Sequence, residues 1–211
     1  MPDHETVRST SRRTALLDVA IIVGVCLAYV ALESFHVPKR WSFLVVGVTL
    51  VAYFVCLARR RTDSWRDLGL RTDNLRAAAM PMGLFTVLAG AVLVAWAIAQ
   101  GQPLVRQEVL LLLALYPAWA IVQQLVFQGL LHRRLMVVVA SPTLQAVITA
   151  AAFAAVHWGS AALVVLTFAA GLAWSVLYRR SPNLWLLAAS HTVLAALAYP
   201  LVLGDAPLSR I

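Results

Sequence analysis

The sequence predicts an all-α protein, a polytopic transmembrane helical bundle with about seven spans. The chain has 211 residues, of which 62% are hydrophobic and 12% are charged, and its mean hydropathy is +0.82. An ordinary soluble domain is about half apolar and about a quarter charged. Apolar runs of about 20 residues, the length that a helix needs to cross a bilayer, recur between short polar breaks. We therefore expect a multi-pass protein of the cell (inner or plasma) membrane.

Seven apolar runs define the predicted spans, of which the fifth and sixth are short. They cover residues 14–35, 41–58, 77–99, 108–131, 144–158, 161–178 and 183–203. The first run, with about 19 apolar residues, exceeds the apolar region of about 7–15 residues in a secretory signal, so we interpret it as an uncleaved span. The predicted division is a cytoplasmic tail (1–13), two spans with a basic loop (14–76), a core bundle (77–203) and a C-terminal tail (204–211).

The distribution of basic residues predicts the orientation. If successive breaks alternate between the two sides, 13 of the 17 Lys and Arg residues fall on one side, within 8–13, 59–76, 133–134 and 179–180. Positive residues gather in cytoplasmic loops, so the N-terminus is expected in the cytoplasm. The net charge of +8 does not indicate a nucleic-acid partner, because no aromatic stacking surface lies among the basic residues.

The longest polar break, residues 59–76, leaves two interpretations open. Trp65, Leu68 and Leu70 lie among its charges. This pattern is typical of a short amphipathic segment in the membrane interface. A solvated loop anchored by one aromatic residue fits the pattern equally well.

Polar side chains within the apolar runs mark the candidate site, because hydrocarbon surroundings disfavour them unless they are paired. They are Gln123, Gln124 and Gln128 in the fourth run, His157 in the fifth and His191 in the seventh. At 1.5 Å per residue, Gln124 and His191 lie about 12 Å and His157 about 20 Å from the cytoplasmic ends of their helices. They can therefore share one cavity, although glutamine amides also join membrane helices by structural hydrogen bonds.

The fourth run also predicts an ordered polar stripe. Gln124, Gln128 and His132 follow each other at i, i+4 and i+8, which places them on one face of an α-helix. We expect Gln124 and Gln128 to exchange a hydrogen bond. His132 is expected to extend to the cytoplasmic surface together with Arg133 and Arg134.

Three motifs resemble those of the CPBP or Abi family, which is named for CAAX prenyl-protein and bacteriocin processing. The family pattern EExxxRG, FxxxH and HxxxN corresponds here to "QQLVFQG" (123–129), "FAAVH" (153–157) and "HTVLA" (191–195). The resemblance implies an intramembrane endopeptidase in which a glutamate and a histidine activate water, while a second histidine and the asparagine hold the oxyanion. His157 and His191 are then the catalytic candidates.

The chain departs from this pattern at the positions that carry charge. Gln123 and Gln124 replace the glutamate pair, Gln128 replaces the arginine, and Ala195 replaces the asparagine. A neutral amide cannot act as the general base that a buried carboxylate provides. Whether the protein is an active enzyme is thus left open, with Asp18 and Glu33 of the first span as the other carboxylates within reach.

Three functions remain open after the sequence is considered. The first is a diverged CAAX-type endopeptidase that acts weakly or differently on a lipidated or membrane-delivered peptide. Its base would be a histidine, a residue whose unperturbed pKa is about 6.5. The second is non-catalytic binding of a peptide or partner in immunity or export. The third is non-hydrolytic chemistry on a lipid or isoprenoid in a cavity with aromatic walls, formed by Trp119, Phe127, Phe153 and Trp158.

No cofactor or metal is expected, because two histidines are one ligand short of a catalytic zinc site and acidic ligands for magnesium are missing from the cavity. Cys26 and Cys56 lie in apolar runs and are expected to be free thiols. The expected partners are membrane lipids and a prenylated or other membrane-associated peptide, or an isoprenoid, without nucleic acid.

Overall fold

The computed structural model describes residues 10–60 and 63–204, and within these ranges the chain forms helices joined by turns, without strands. The predicted tails lie outside the described residues over 1–9 and 205–211. We number seven helices in chain order. They are α1 (Arg12–Ser34), α2 (Lys39–Arg60), α3 (Leu75–Ala99), α4 (Gln107–Val138), α5 (Pro142–Ala155), α6 (Ala161–Arg180) and α7 (Leu184–Val202).

Six of these helices are long and apolar enough to cross a membrane. The exception is α5, whose 14 residues extend over about 21 Å, less than a hydrocarbon core of about 30 Å. The predicted all-α, multi-pass bundle is confirmed. The structure has six helices of spanning length and a shorter seventh, which corresponds to the fifth predicted span.

Side-chain caps explain where the last three helices begin. Ser141, Ser160 and Asn183 precede α5, α6 and α7, and each side chain accepts a hydrogen bond from the backbone N–H three residues further on. Such caps satisfy one of the N–H groups that a helix start leaves without an internal partner. They define the starts of the three helices that pack around the candidate site.

Ion pairs bring several of the basic breaks to one end of the bundle. The buried Arg134 near the end of α4 binds Asp18 near the start of α1, with 2.8 Å between Nε and Oδ2. It also binds Asp63, just beyond α2, at 2.5 Å. Arg60, the last residue of α2, contacts Asp18 at 3.3 Å. We call this end of the bundle the basic end.

The loop that follows α2 is docked against the bundle. Its backbone carbonyls accept hydrogen bonds from Tyr178 Oη to Leu68 (2.9 Å), from Leu184 N to Gly69 (2.8 Å) and from Asn183 Nδ2 to Arg71 (2.9 Å). The Leu68 side chain is buried. Over residues 63–74 the loop therefore consists of turns packed on α6 and α7, without a helix.

The expectation that His132 and Arg134 reach the surface is wrong. His132 is buried, and its Nδ1 lies 3.0 Å from Thr149 Oγ1. The Arg134 side chain is fully buried between its two carboxylate partners. The two carboxylates come from distant parts of the chain and compensate the desolvation of the Arg134 charge. Thr149 contacts one nitrogen of His132, while His132 Nε2 is buried without a hydrogen-bond partner among the described residues.

Gly171 allows α6 to pack closely against α5. A Cβ atom at this position would lie 3.0 Å from Ala150 Cα, a backbone atom that cannot yield easily. We expect Gly171→Ala to lower the free energy of unfolding by about 1 to 3 kcal/mol, measured by thermal unfolding in detergent. At Gly83 in α3 an added Cβ meets nothing within 4 Å, so Gly83→Ala should preserve or raise stability. Equal losses in both variants would contradict this account of the α5–α6 contact.

Candidate functional site

The polar stretch of α4 changes its helical register. The helix is α-helical over Gln107–Gln124, π-helical over Leu125–His132 and again α-helical over Arg133–Val138. A π-helix closes i→i+5 hydrogen bonds, and such segments are frequent at functional sites. Because the register changes directly after Gln124, the later polar side chains turn away from the face that α-helical spacing predicts.

Gln124 of α4 meets His191 of α7 in the interior. Gln124 Nε2 lies 3.3 Å from His191 Nδ1, and both residues are buried. On the other side of the imidazole, Tyr116 Oη lies 3.5 Å from His191 Nε2 and 3.5 Å from Gln123 Oε1. Gln124 therefore contacts His191 directly, while Tyr116 links Gln123 to His191.

Aromatic rings enclose His191 on several sides. Its ring centroid lies 4.9 Å from that of Trp174, 5.4 Å from that of Tyr116 and 5.5 Å from that of Phe153. Trp174 Nε1 donates a hydrogen bond of 3.0 Å to Ser190 Oγ, which fixes the indole beside the imidazole. The imidazole is thus held in a largely apolar pocket in which rotation is restricted.

His157 lies at the end of α5 with one nitrogen already engaged. His157 Nδ1 donates to the Phe153 carbonyl oxygen at 2.8 Å, since a carbonyl can only accept. In a neutral imidazole this leaves the lone pair on Nε2. The Phe153 ring packs against both His157 (5.1 Å) and His191 (5.5 Å), so the two histidines lie on the same aromatic side chain.

Two cavities meet at this cluster. The larger has a volume of about 430 Å³ and is bounded by α1, α2, α4, the turn after α5, and parts of α6 and α7. Four of the residues that the sequence predicts for the cavity line it: Gln123, Trp119, Phe127 and Trp158. The smaller has about 260 Å³ and lies between α3, α6 and α7, with His191, Trp174 and Ala195 in its wall. Tyr116 and His157 line both cavities.

Comparison with known proteins identifies the segment that contains this site. Residues 105–197 match a family model, Rce1-like, described as type II CAAX prenyl endopeptidase Rce1-like. This segment carries an Rce1-like domain. No curated protein and no solved structure matches the chain. The match confirms the resemblance found in the motifs, and the protein is a multi-pass membrane protein in which the matched segment is CAAX-protease-like.

Within the Rce1-like domain, Gln128 is separate from the glutamine and histidine cluster. Gln128 Nε2 donates to Ser175 Oγ of α6 at 3.1 Å, and the Ser175 hydroxyl in turn donates to the Gly171 carbonyl at 2.7 Å. The expected hydrogen bond between Gln124 and Gln128 is not among those of the described residues, so this prediction is wrong. The physical reason is the π-helical register, which directs Gln128 to α6 while Gln124 faces α7.

Two further expectations concern residues near the site. Phe153 is buried beneath the histidines and supports them, without lining either cavity. Asp18 is engaged by Arg134 and Arg60 at the basic end, which excludes it as a base for the site. Glu33 lines the larger cavity.

Within 10–60 and 63–204, no cluster of three or more His, Cys, Asp or Glu side chains is placed to hold a metal ion.

The sequence did not indicate several residues that complete the candidate site. Tyr116 precedes Gln123 by seven residues, two helical turns, so its position on the same face could have been noticed. Trp174, Ser175 and Ser190 lie in helices without a distinctive polar pattern. Their contacts depend on how α6 and α7 pack.

Proposed function

We propose that this protein binds a lipidated or other membrane-delivered peptide in the larger cavity and hydrolyses it weakly at most. The observation that carries the proposal is the environment of the two histidines. His191 is contacted by the amide of Gln124 and the hydroxyl of Tyr116, and no described carboxylate contacts either His191 or His157. The arrangement keeps a polar interior while lacking the acidic group of a protease centre.

Weak hydrolysis follows from the chemistry of the groups present. Attack of water on a peptide carbonyl needs a group that accepts a proton, and a neutral amide does not. His157 retains a free Nε2 lone pair in the neutral form and is the remaining candidate base. Ala195 cannot donate a hydrogen bond to an oxyanion, so stabilisation of the tetrahedral intermediate is reduced as well.

Peptide binding is supported by the composition of the cavity. Its volume of about 430 Å³ lies within the range of ligand pockets. Gln123 and Tyr116 offer hydrogen bonds to backbone amides, while Trp119 and Phe127 provide apolar contact. The adjoining apolar cavity of about 260 Å³ suits the hydrocarbon chain of a lipidated peptide.

Photoaffinity labelling tests the binding. A farnesylated peptide with a diazirine group should label the protein in membranes, and unlabelled peptide should compete. Val122→Trp fills the larger cavity from α4 and is expected to reduce labelling at least about 10-fold, the effect of losing about 1.4 kcal/mol. The matched control is Leu110→Trp on the outer surface of the same helix, which should label normally. Undiminished labelling of Val122→Trp would contradict binding in this cavity.

We also propose that the basic end faces the cytoplasm and that the membrane is the cell (inner or plasma) membrane. Support comes from the concentration of Arg at this end, which is typical of cytoplasmic faces. The loop after α2, at the basic end, binds the start of α7, so α7 leads away from that end. A phosphatase fused after residue 211 should therefore be active outside the cytoplasm. An inactive fusion that is expressed and stable would contradict this orientation.

A further inference from the structure

The outer end of the larger cavity carries two opposite charges. Glu33 of α1 and Lys39 of α2 both line the cavity where these helices are joined by a turn. Along α1 the cavity wall runs from Ile22 to Glu33, about 17 Å at 1.5 Å per residue. Both charges lie outside the segment 105–197 that matches the Rce1-like family. The outer end is therefore a feature of this chain's own first two helices.

Both charged groups lack a protein counter-ion in the described part of the chain. Glu33 Oε1 is buried without a hydrogen-bond partner among residues 10–60 and 63–204. Lys39 takes part in none of the ion pairs found over the same ranges. A buried acceptor without a partner is destabilising, so a ligand that donates to Glu33 would be stabilised there.

The helix ends give no structural reason for these charges. Glu33 is the next-to-last residue of α1, and Lys39 is the first residue of α2. The helix dipole disfavours an anion at a C-terminus and a cation at an N-terminus. Both charges are thus placed against the local field, which indicates that they serve an interaction other than helix stability.

Aromatic residues place this end of the cavity at the level of lipid headgroups. Phe35 and Trp41 flank the turn and are strongly exposed, and below them the exposed side chains of both helices are mostly apolar. Aromatic side chains concentrate at the boundary between hydrocarbon and headgroups. A ligand with charged groups at this level and an apolar remainder would match the cavity along its length.

We propose that the outer end of the cavity binds the headgroup of a zwitterionic phospholipid with a primary ammonium, of the phosphatidylethanolamine type. The ammonium donates to Glu33, the phosphate contacts Lys39, and an acyl chain enters the apolar part of the cavity. A choline headgroup has no N–H to donate, and a phosphatidylglycerol headgroup has no cation to offer Glu33. The inference depends on neither hydrolysis nor peptide binding.

Native mass spectrometry of the purified full chain tests this lipid selectivity. The protein is presented with equimolar dioleoyl phosphatidylethanolamine, phosphatidylcholine and phosphatidylglycerol, and retained lipid is counted. We expect phosphatidylethanolamine to be retained about fivefold or more over either competitor, the ratio given by one net hydrogen bond. Equal retention of the three lipids, or preference for phosphatidylglycerol, would overturn the proposal.

Variants distinguish lipid binding at Glu33 and Lys39 from nonspecific lipid binding elsewhere on the protein. Glu33→Gln should reduce retention of phosphatidylethanolamine to that of phosphatidylcholine, and Lys39→Gln should reduce both. Arg40→Gln and Glu108→Gln change charges that do not line the cavity and should preserve the selectivity. Selectivity that persists in Glu33→Gln would overturn the proposal. If Glu33→Gln does not fold, the wild-type comparison and Lys39→Gln still decide it.

Discussion

Peptide hydrolysis is expected to rise by about 100-fold or more when Gln123→Glu, Gln124→Glu and Gln128→Arg are combined, because a positioned general base contributes about 10²- to 10⁴-fold. Gln124 already lies 3.3 Å from His191 Nδ1. A carboxylate there would be within hydrogen-bond reach of the imidazole and could share in activating water. The measurement is the cleavage rate of a farnesylated fluorogenic peptide by the variant in proteoliposomes.

A carboxylate placed elsewhere in the interior controls for nonspecific effects. Gln145 is buried in α5, and its side chain hydrogen-bonds to Arg179 at 2.6 Å and to the Val139 carbonyl at 2.6 Å rather than to His157 or His191. Gln145→Glu adds a buried carboxylate next to an arginine and should leave hydrolysis unchanged. We call the variant with Gln123→Glu, Gln124→Glu and Gln128→Arg the restored variant. Adding His191→Ala to it should remove the gain in cleavage rate. Equal cleavage by the restored variant and by Gln145→Glu would show that the carboxylate position is unimportant.

Gln128→Arg, the third substitution in the variant that also carries Gln123→Glu and Gln124→Glu, introduces a charge into the interior. Gln128 is buried against Ser175, so an arginine introduced there alone would lack a carboxylate partner. An unpaired buried charge is destabilising by several kcal/mol. We therefore expect Gln128→Arg alone to lower the free energy of unfolding. The loss should be smaller when Gln124→Glu is also present, since an arginine side chain is longer than that of Gln128 and can reach a carboxylate four residues away.

Removing Arg134 is expected to lower the free energy of unfolding by about 3 to 5 kcal/mol, because it leaves buried carboxylates without their main partner. The side chains of Arg134 and Asp18 are fully buried, and that of Asp63 is 1% exposed. Together they tie α1, the loop after α2 and α4 to each other. Arg134→Met, followed by chemical or thermal unfolding in detergent, measures the effect.

Two comparisons show whether unpaired buried carboxylates cause the loss of stability in Arg134→Met. Arg66→Met removes an exposed ion pair to Asp73, and exposed pairs contribute only about 0 to 1 kcal/mol. Combining Arg134→Met with Asp18→Asn and Asp63→Asn should recover part of the loss, since no buried charge is then left unpaired. A loss for Arg66→Met as large as that for Arg134→Met would contradict the buried ionic cluster.

The helices and the meeting of Gln124 with His191 were predictable from the sequence. Apolar runs of membrane length define the helices, and motif spacing brings together residues on different spans. The partner of Gln128 was not predictable. An α-helical repeat was assumed over Leu125–His132, whereas the structure is π-helical there, and this change of register has no compositional signal.

Long-range ion pairs explain the other error. The basic pair Arg133 and Arg134 suggests a solvent-exposed helix end, as such pairs usually are. Arg134 instead finds Asp18, 116 residues away, and Asp63, 71 residues away. A single sequence shows neither pairing. The burial of His132 beside Thr149 depends likewise on how α5 packs against α4.

Cleavage of a farnesylated CAAX reporter peptide by the purified wild-type protein in proteoliposomes tests the central claim most directly. The claim is that an interior chamber, where His157 and His191 lie near amides instead of carboxylates, holds peptide without efficient hydrolysis. The expected result is saturable binding with cleavage at least about 100-fold slower than by the variant that combines Gln123→Glu, Gln124→Glu and Gln128→Arg. A wild-type cleavage rate well above that of empty vesicles and equal to that of this variant would contradict it.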